Sequence, residues 1–184
     1  MTRVENEETW RLASAIANEY MKNGGEKKAK TRFTKMVRSG KNLLELIPES
    51  IRGYVEYNIA GMKERESEYL RNVRTELSTE IRELCMDRTI VYTKKSWNKL
   101  IEDRGGMKNV FNKACRNAEK SFNPIPNIYA DAIILAYRHD AEKEVFALLV
   151  KLPKKLIAQI NDILSDTQEY MICVDDGNLV VHDN

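Results

Sequence analysis

The sequence is poor in residues that make turns and cross-links, with eight glycines, four prolines and three cysteines among 184 residues. An all-β fold needs more turn-forming residues than this, so the composition argues against one. The cysteines, Cys85, Cys115 and Cys173, are far apart, and only two histidines are present. They match no usual zinc-ligand pattern, and we predict that Cys85 and Cys115 are small buried side chains in a reducing cytoplasm.

Long hydrophobic runs are also lacking. No apolar stretch is long enough for a transmembrane helix, so we expect no membrane partner. Positions 1–10 are polar and acidic, which is unlike a signal peptide. Both observations favour a cytoplasmic location.

Motifs for catalysis are lacking as well. Gly24-Gly25 and Gly105-Gly106 do not have the spacing, or the following Lys-Ser/Thr, of a phosphate-binding loop. His139 and Asp140 are adjacent, but metal sites with such a pair need further histidines, and the sequence has only one more. We therefore predict that the protein is not an enzyme and has no catalytic residues, metal ion or cofactor.

The sequence is rich in charged residues, at 32%, beside 42% hydrophobic residues. Apolar residues recur at spacings of three and four, which predicts amphipathic helices. Residues 89–92 are predicted to be a short extended link, and 142–152 fit a helix or a strand. The predicted helices are 6–21, 26–39 before Ser39-Gly40, one or two long helices within 48–87, a helix from 93 or 96 to 102, 107–120, 128–138, and one that follows Pro153.

The last residues predict a different structure. Tyr170 to Val181 contain two β-branched runs around Asp176-Gly177, which is the pattern of a β-hairpin. We predict a mainly α fold, a multi-helix bundle with a small C-terminal β-hairpin. Pro124 and Pro126 predict a division into residues 1–122, a helical bundle with two basic segments, and 123–184, a helical subdomain that ends in the hairpin. A single domain is the alternative.

Charge is unevenly distributed along the chain. Residues 22–41 carry eight positive side chains and one negative, and residues 94–120 carry eight and three. The segments around them are acidic, so that the net charge is only +2. A positive segment of this density repels itself unless an anion neutralises it, and a nucleic-acid backbone does so with release of counterions.

We predict nucleic-acid binding by the basic side chains of both segments, with Thr31, Thr34 and Ser39 as further donors to phosphate oxygens. One alternative is a solvated lysine-rich helix balanced by the acidic residues of 49–87. Another is a membrane surface, which the narrow apolar face of the first basic helix disfavours. The candidate residues are Lys27, Lys28, Lys30, Arg32, Lys35, Arg38, Lys41, Lys94, Lys95, Lys99, Lys108, Lys113, Arg116 and Lys120.

The second basic segment surrounds a helix–turn–helix-like stretch. A DNA reader of this type would place Asn109, Asn112, Lys113 and Arg116 at base edges. The pattern fits poorly, because Ile101 stands where such motifs have a small residue. A helix face that contacts phosphates without reading bases fits better.

The predicted function is a non-enzymatic accessory subunit that binds a nucleic-acid phosphate backbone, RNA or DNA, inside a larger nucleoprotein complex with protein neighbours. In size, helical class and charge layout the chain is similar to the small helical subunits of CRISPR effector complexes, a similarity of type that no motif carries. The alternative is a helical protein–protein interaction or inhibitor protein that uses the long helix predicted within 49–87. An enzyme with an unrecognised site is a third hypothesis.

Overall fold

The computed structural model describes residues 3–86, 92–139, 143, 149, 152–166 and 170–183. Within them the chain is mainly α-helical with two short strands, which confirms the predicted fold class. The helices are α1 (Arg3–Tyr20), α2 (Glu26–Leu44), α3 (Glu49–Ala60), α4 (Glu66–Cys85), α5 (Lys94–Asp103), α6 (Gly106–Glu119), α7 (Pro124–Arg138) and α8 (Lys154–Ser165). The strands are β1 (Tyr170–Asp175) and β2 (Asn178–Asp183).

The contacts divide the chain into two compact units. The first contains Met1–Thr34 and Glu64–Phe122, and the second contains Lys35–Lys63 and Asn123–Asn184. One boundary lies between Phe122 and Asn123, next to the proline-rich segment. The units differ from a simple division at 122/123 because α3 packs against α7 and so groups with the C-terminal residues.

In the first unit, α4 packs against α1 and α6, and α5 contacts α4 and α6. The sequence of α4 explains this position, because its apolar residues recur at intervals of four and line one face. Thr93 caps α5, accepting a hydrogen bond from the Ser96 backbone N–H, and Ser96 caps the Thr93 N–H in return. The buried apolar residues of α4 are Tyr69, Val73, Leu77, Ile81 and Cys85.

A kink, rather than a loop, joins α1 to α2. Asn23 and Gly24 leave the helical backbone conformation, and Gly24 has φ 108°, which favours glycine. Gly25 is buried, and a Cβ at this position would lie 2.8 Å from the Tyr20 carbonyl oxygen and 2.8 Å from its Cδ1. The two glycines therefore shape a close connection between consecutive helices.

In the second unit, α7 packs against α3 and α8, and α8 contacts β1. The Asn161 side chain of α8 binds the edge of β1: its Nδ2 donates to the Val174 carbonyl at 3.0 Å, and its Oδ1 accepts from the Val174 N–H at 2.8 Å. The strands pair antiparallel as predicted, and Asp176 and Gly177 both have positive φ in the turn. The buried residues of α7 are Pro124, Pro126, Ile128, Tyr129, Ala130, Ala132, Ile133 and Ala136.

Two predicted helix limits are wrong. α2 does not end at Ser39-Gly40 but continues to Leu44, because Gly40 is buried and lies on the same helix face as Val37 and Leu44. The helix predicted from residue 128 begins earlier, because the segment with Pro124 and Pro126 forms its first turn. Asn123 accepts a hydrogen bond from the Ile125 N–H and begins α7 with Pro124 in its first turn.

Of the one or two long helices predicted within 48–87, the structure has two. α3 lies in the second unit and α4 in the first, with a short 3-10 turn at Lys63–Arg65 between them. The predicted link at 89–92 lies outside the described residues except for Tyr92. Most of 142–152 also lies outside them, and so does Asp140.

Candidate nucleic-acid interface

The basic side chains of α2 lie on its solvent face. In the first unit, Ala29 and Phe33 are buried, whereas Lys27, Lys28 and Lys30 are exposed. This separation follows from the sequence, since residues four apart lie on one side of a helix. The first half of α2 is therefore a helix with an apolar inner face and a basic outer face.

An ion pair joins α2 to α6. Arg32 donates from Nε to Glu119 Oε1 at 2.6 Å and from Nη2 to Oε2 at 3.0 Å. This hydrogen bonding to Glu119 raises the pKa of Arg32, against the opposing effect of partial burial. The buried Tyr69 hydroxyl donates to the same Oε1 at 3.3 Å. Glu119 thus holds α2, α4 and α6 together, and the Arg32 Nη1 donates to no atom in the part of the chain that the structure describes.

An aromatic cluster lies beside this ion pair. The Phe33 ring centroid is 5.1 Å from that of Tyr69 and 6.5 Å from that of Phe122, and the last two are 5.6 Å apart. The Arg65 guanidinium lies 4.5 Å from the Phe122 ring centroid. Apolar and ring contacts therefore fix the first half of α2 on the core of the first unit.

The outer face of α6 is also basic. Val110, Ala114 and Ala118 are buried, and about 100° of rotation per residue places Arg116 opposite them. Arg116 and Lys120, one turn apart, are exposed. The ridge they form runs beside Glu119, the α6 partner of Arg32.

Lys113 is three residues before Arg116 and so lies on the same face of α6, but it is neutralised. Its Nζ pairs with Glu80 of α4, which raises the pKa of Lys113. Glu80 is buried and also accepts a hydrogen bond from Asn117 Nδ2 at 3.0 Å. Lys113 therefore supports the packing of α6 on α4 in addition to any contact with a ligand.

Tyr20 lies between Lys28 of α2 and the buried side of α6. The Lys28 Nζ lies 3.5 Å from the Tyr20 hydroxyl and 5.6 Å from its ring centroid. The Tyr20 ring in turn lies 5.1 Å from the Phe111 ring of α6. Lys28 contacts Tyr20, which packs on Phe111, and Arg32 contacts Glu119 near the end of α6. On both helices the second contact lies closer to the C-terminal end than the first.

The structure sorts the predicted residues by their partners. Four are paired with carboxylates: Lys30 with Glu26, Arg32 with Glu119, Lys94 with Glu19, and Lys113 with Glu80. The others are exposed and have no carboxylate partner within the described ranges. In the first unit these are Lys27, Lys28, Lys95, Lys99, Lys108, Arg116 and Lys120, and in the second they are Lys35, Arg38 and Lys41.

The predicted hydroxyl donors are engaged within α2. Thr31, Thr34 and Ser39 each donate to the backbone carbonyl four residues earlier, at 3.0, 3.0 and 2.9 Å. Each hydroxyl has a single proton, so these side chains offer only acceptor lone pairs to a ligand in this conformation. Their predicted role as phosphate donors therefore does not fit the structure.

The side chains proposed for base reading are partly engaged as well. Asn109 Nδ2 donates to the Gly105 carbonyl at 2.8 Å, and Lys113 is paired with Glu80. Arg116 and Asn112 remain on the outer side of α6. The arrangement fits contact with phosphates better than a row of base-reading side chains.

The sequence did not indicate Glu119, Tyr69 or Tyr20 as part of this region. The only signal was the recurrence of Tyr69 and Val73 on one stripe of α4, which predicted burial and not hydrogen bonding. A single acidic residue, Glu119, between Arg116 and Lys120 gave no sign that it binds α2.

Other candidate sites are weaker. A cleft of about 200 Å³ lies between α1, α5 and α6, with Glu19 and Glu102 on its walls, but Lys94 already neutralises Glu19. Among the described residues no group of acidic, cysteine or histidine side chains could hold a metal ion. Likewise, no helix in the described ranges is both long and apolar enough to cross a membrane.

The alternative prediction, a protein–protein interaction protein, depends on the helices within 49–87. The apolar stripe of α4 is buried against α1 and α6, and α3 packs on α7. The apolar stripe of α4 is therefore covered by the chain itself, and a partner of α4 would contact its exposed faces, where Arg71 and Arg74 lie.

Comparison with known proteins adds no family to these observations. No protein-family model matches this chain, and neither a curated protein nor a solved structure matches it.

Proposed function

We propose that this chain is a non-enzymatic helical accessory subunit that binds a nucleic-acid phosphate backbone, with little sequence specificity, within a larger cytoplasmic nucleoprotein complex. The observation that supports this is the exposed basic side chains of α2 and α6 that no carboxylate within the described ranges neutralises. Lys27, Lys28, Arg116 and Lys120 represent them in the first unit.

The charge balance of the surface gives the physical reason. Where the fold needs a cation for packing, it provides a carboxylate, as Glu119 does for Arg32 and Glu80 for Lys113. Lys27, Lys28, Arg116 and Lys120 have no such partner among the described residues, and their mutual repulsion disfavours the bare protein. A polyanion relieves this repulsion, and release of its condensed counterions supplies the free energy of binding.

Acidic surfaces elsewhere on the chain suit protein neighbours in the same assembly. Residues 121–184 carry ten negative and five positive side chains. A polyanion would avoid such a segment, whereas a basic protein surface would be attracted to it. This distribution supports a subunit rather than a protein that nucleic acid covers on all sides.

Fluorescence anisotropy with labelled DNA and RNA oligonucleotides across a salt series tests the proposal. We expect binding at low salt and a linear fall of log K with log salt, about 0.9 per neutralised phosphate for duplex DNA. Lys27→Gln/Lys28→Gln/Arg116→Gln/Lys120→Gln should weaken binding at least about tenfold and flatten the slope.

A matched control removes charge from α4 instead, at the exposed Arg71 and Arg74. The double variant Arg71→Gln/Arg74→Gln should bind within about twofold of the original protein. The proposal is wrong if no oligonucleotide binds at low salt, or if the α4 variant loses as much affinity per charge as the α2/α6 variant.

A further inference from the structure

The two basic helices of the first unit carry little that could stack on a nucleic-acid base. The structure describes every side chain of α2 and α6, whose only aromatic residues are Phe33 and Phe111. Phe33 is 2% exposed and packs on Tyr69, and Phe111 is 2% exposed and packs on Tyr20. Both rings are therefore committed to the core.

This feature bears on the kind of nucleic acid that fits the face. Proteins that hold single strands place bases on exposed aromatic rings, and the stacked bases supply a large part of the binding. Tyr20 is half-buried beside this face, but Lys28 lies over its ring, so the face gains mainly from phosphates. A duplex offers more of these per unit length, with one charge per roughly 1.7 Å of axis.

The packing of α2 against α6 also favours a duplex. Arg32 is fixed by two hydrogen bonds to Glu119, and Lys28 lies over the Tyr20 ring. Arg116 lies on α6 and Lys120 follows its last residue, Glu119, so packing sets the spacing between the backbone positions of these cations and that of Lys28. Cations that extend from a fixed backbone match the regular phosphates of a double helix, whereas a single strand loses conformational freedom when it adapts to them.

We propose that the face of the first unit formed by Lys28, Arg116 and Lys120 around the Arg32–Glu119 ion pair binds the phosphate backbone of a double-stranded nucleic acid in preference to a single strand. This inference rests on the proposed function, since it names the form of polyanion for the same surface. The duplex is held without base reading, so different sequences of one length bind equally.

The test compares one mixed-sequence oligonucleotide, its complement and their duplex, as DNA and as RNA, with the full chain at several salt concentrations. We expect a duplex to bind at least about fivefold more tightly than either strand at low salt, and two duplexes of unrelated sequence to bind within about twofold. Lys28→Gln/Arg116→Gln/Lys120→Gln should reduce the duplex salt slope by about 0.9 for each phosphate that the variant no longer neutralises.

The outcomes separate this inference from the proposed function. If single strands bind as tightly as the duplex or more tightly, the inference is overturned while phosphate binding stands. If neither form binds at low salt, the proposed function fails first. If the duplex is preferred but the triple variant keeps the full slope, as Arg71→Gln/Arg74→Gln should, another surface binds it and the assignment to this face is wrong.

Discussion

Arg32 of α2 and Glu119 of α6 are 87 residues apart in sequence and form a two-bonded ion pair, with Nε–Oε1 2.6 Å and Nη2–Oε2 3.0 Å. The buried Tyr69 hydroxyl donates to the same carboxylate. Of the basic residues in the first half of α2, Arg32 is thus the one that a carboxylate of another helix neutralises, whereas Lys27 and Lys28 have no carboxylate partner among the described residues.

Arg32→Gln should lower the free energy of unfolding by about 1–2 kcal/mol, because Glu119 would keep its charge beside Tyr69 without its partner. Urea unfolding measures this loss. The double variant Arg32→Gln/Glu119→Gln should recover part of it, because two amides can still hydrogen-bond. Strict additivity of the two single variants would contradict a direct interaction.

Gly25→Ala should destabilise the protein by about 1–3 kcal/mol, since the added methyl group would meet the Tyr20 backbone carbonyl at 2.8 Å. Thermal unfolding followed by circular dichroism measures the change. Gly53→Ala is the matched control, because among the described side chains none lies within 4 Å of a Cβ there. It should stabilise α3 by about 0.5–1 kcal/mol, since alanine favours a helix interior. Equal effects at both positions would contradict this account of the kink.

Asn161→Ala should release the hairpin from α8, at a cost of about 1–3 kcal/mol, because the Val174 N–H and carbonyl both lose their partner. Hydrogen exchange of the Val174 amide, followed by NMR, is the direct measurement and should become faster. Gln159→Ala changes an exposed amide on the same helix and should leave this exchange rate unaltered. Protection that persists in Asn161→Ala would show that the strand is held by other contacts.

The thiols should react unequally at pH 8. Cys85 and Cys115 are fully buried, and burial raises the pKa of each to about 11. The raised pKa leaves only about one thiolate in a thousand at pH 8, and the thiolate is the reactive form. Ellman's reagent should therefore modify Cys173 first in the native protein and all three thiols in urea. Cys173→Ser should remove the fast phase, and a fast phase that remains would contradict the burial of the other two.

Local patterns were enough to predict several elements. The amphipathic period of α6 and the Asp176-Gly177 turn each contain their own signal, and the structure has both. Gly40 shows where local patterns fail: a glycine that usually ends a helix continues α2 and is buried beside Val37 and Leu44. That outcome depends on a neighbouring element, which the sequence around Gly40 does not identify.

The candidate interface was predictable in composition and not in arrangement. The basic segments were evident from residue counts, but which cations stay unpaired depends on distant acids. Glu80 is 33 residues from Lys113, and nothing near either residue indicates their pairing. The roles of Thr31 and Thr34 were misjudged for a local reason, since a threonine hydroxyl inside a helix readily donates to the preceding turn.

The kink at Asn23 and Gly24 has a consequence for which side chains of α2 meet water. Because no loop separates α1 from α2, the five residues between them fix how α2 is rotated about its axis relative to α1. One inserted residue would rotate the first half of α2 by about 100° and turn lysines toward the aromatic rings. The length of this five-residue connection therefore decides which charged side chains of α2 face solvent.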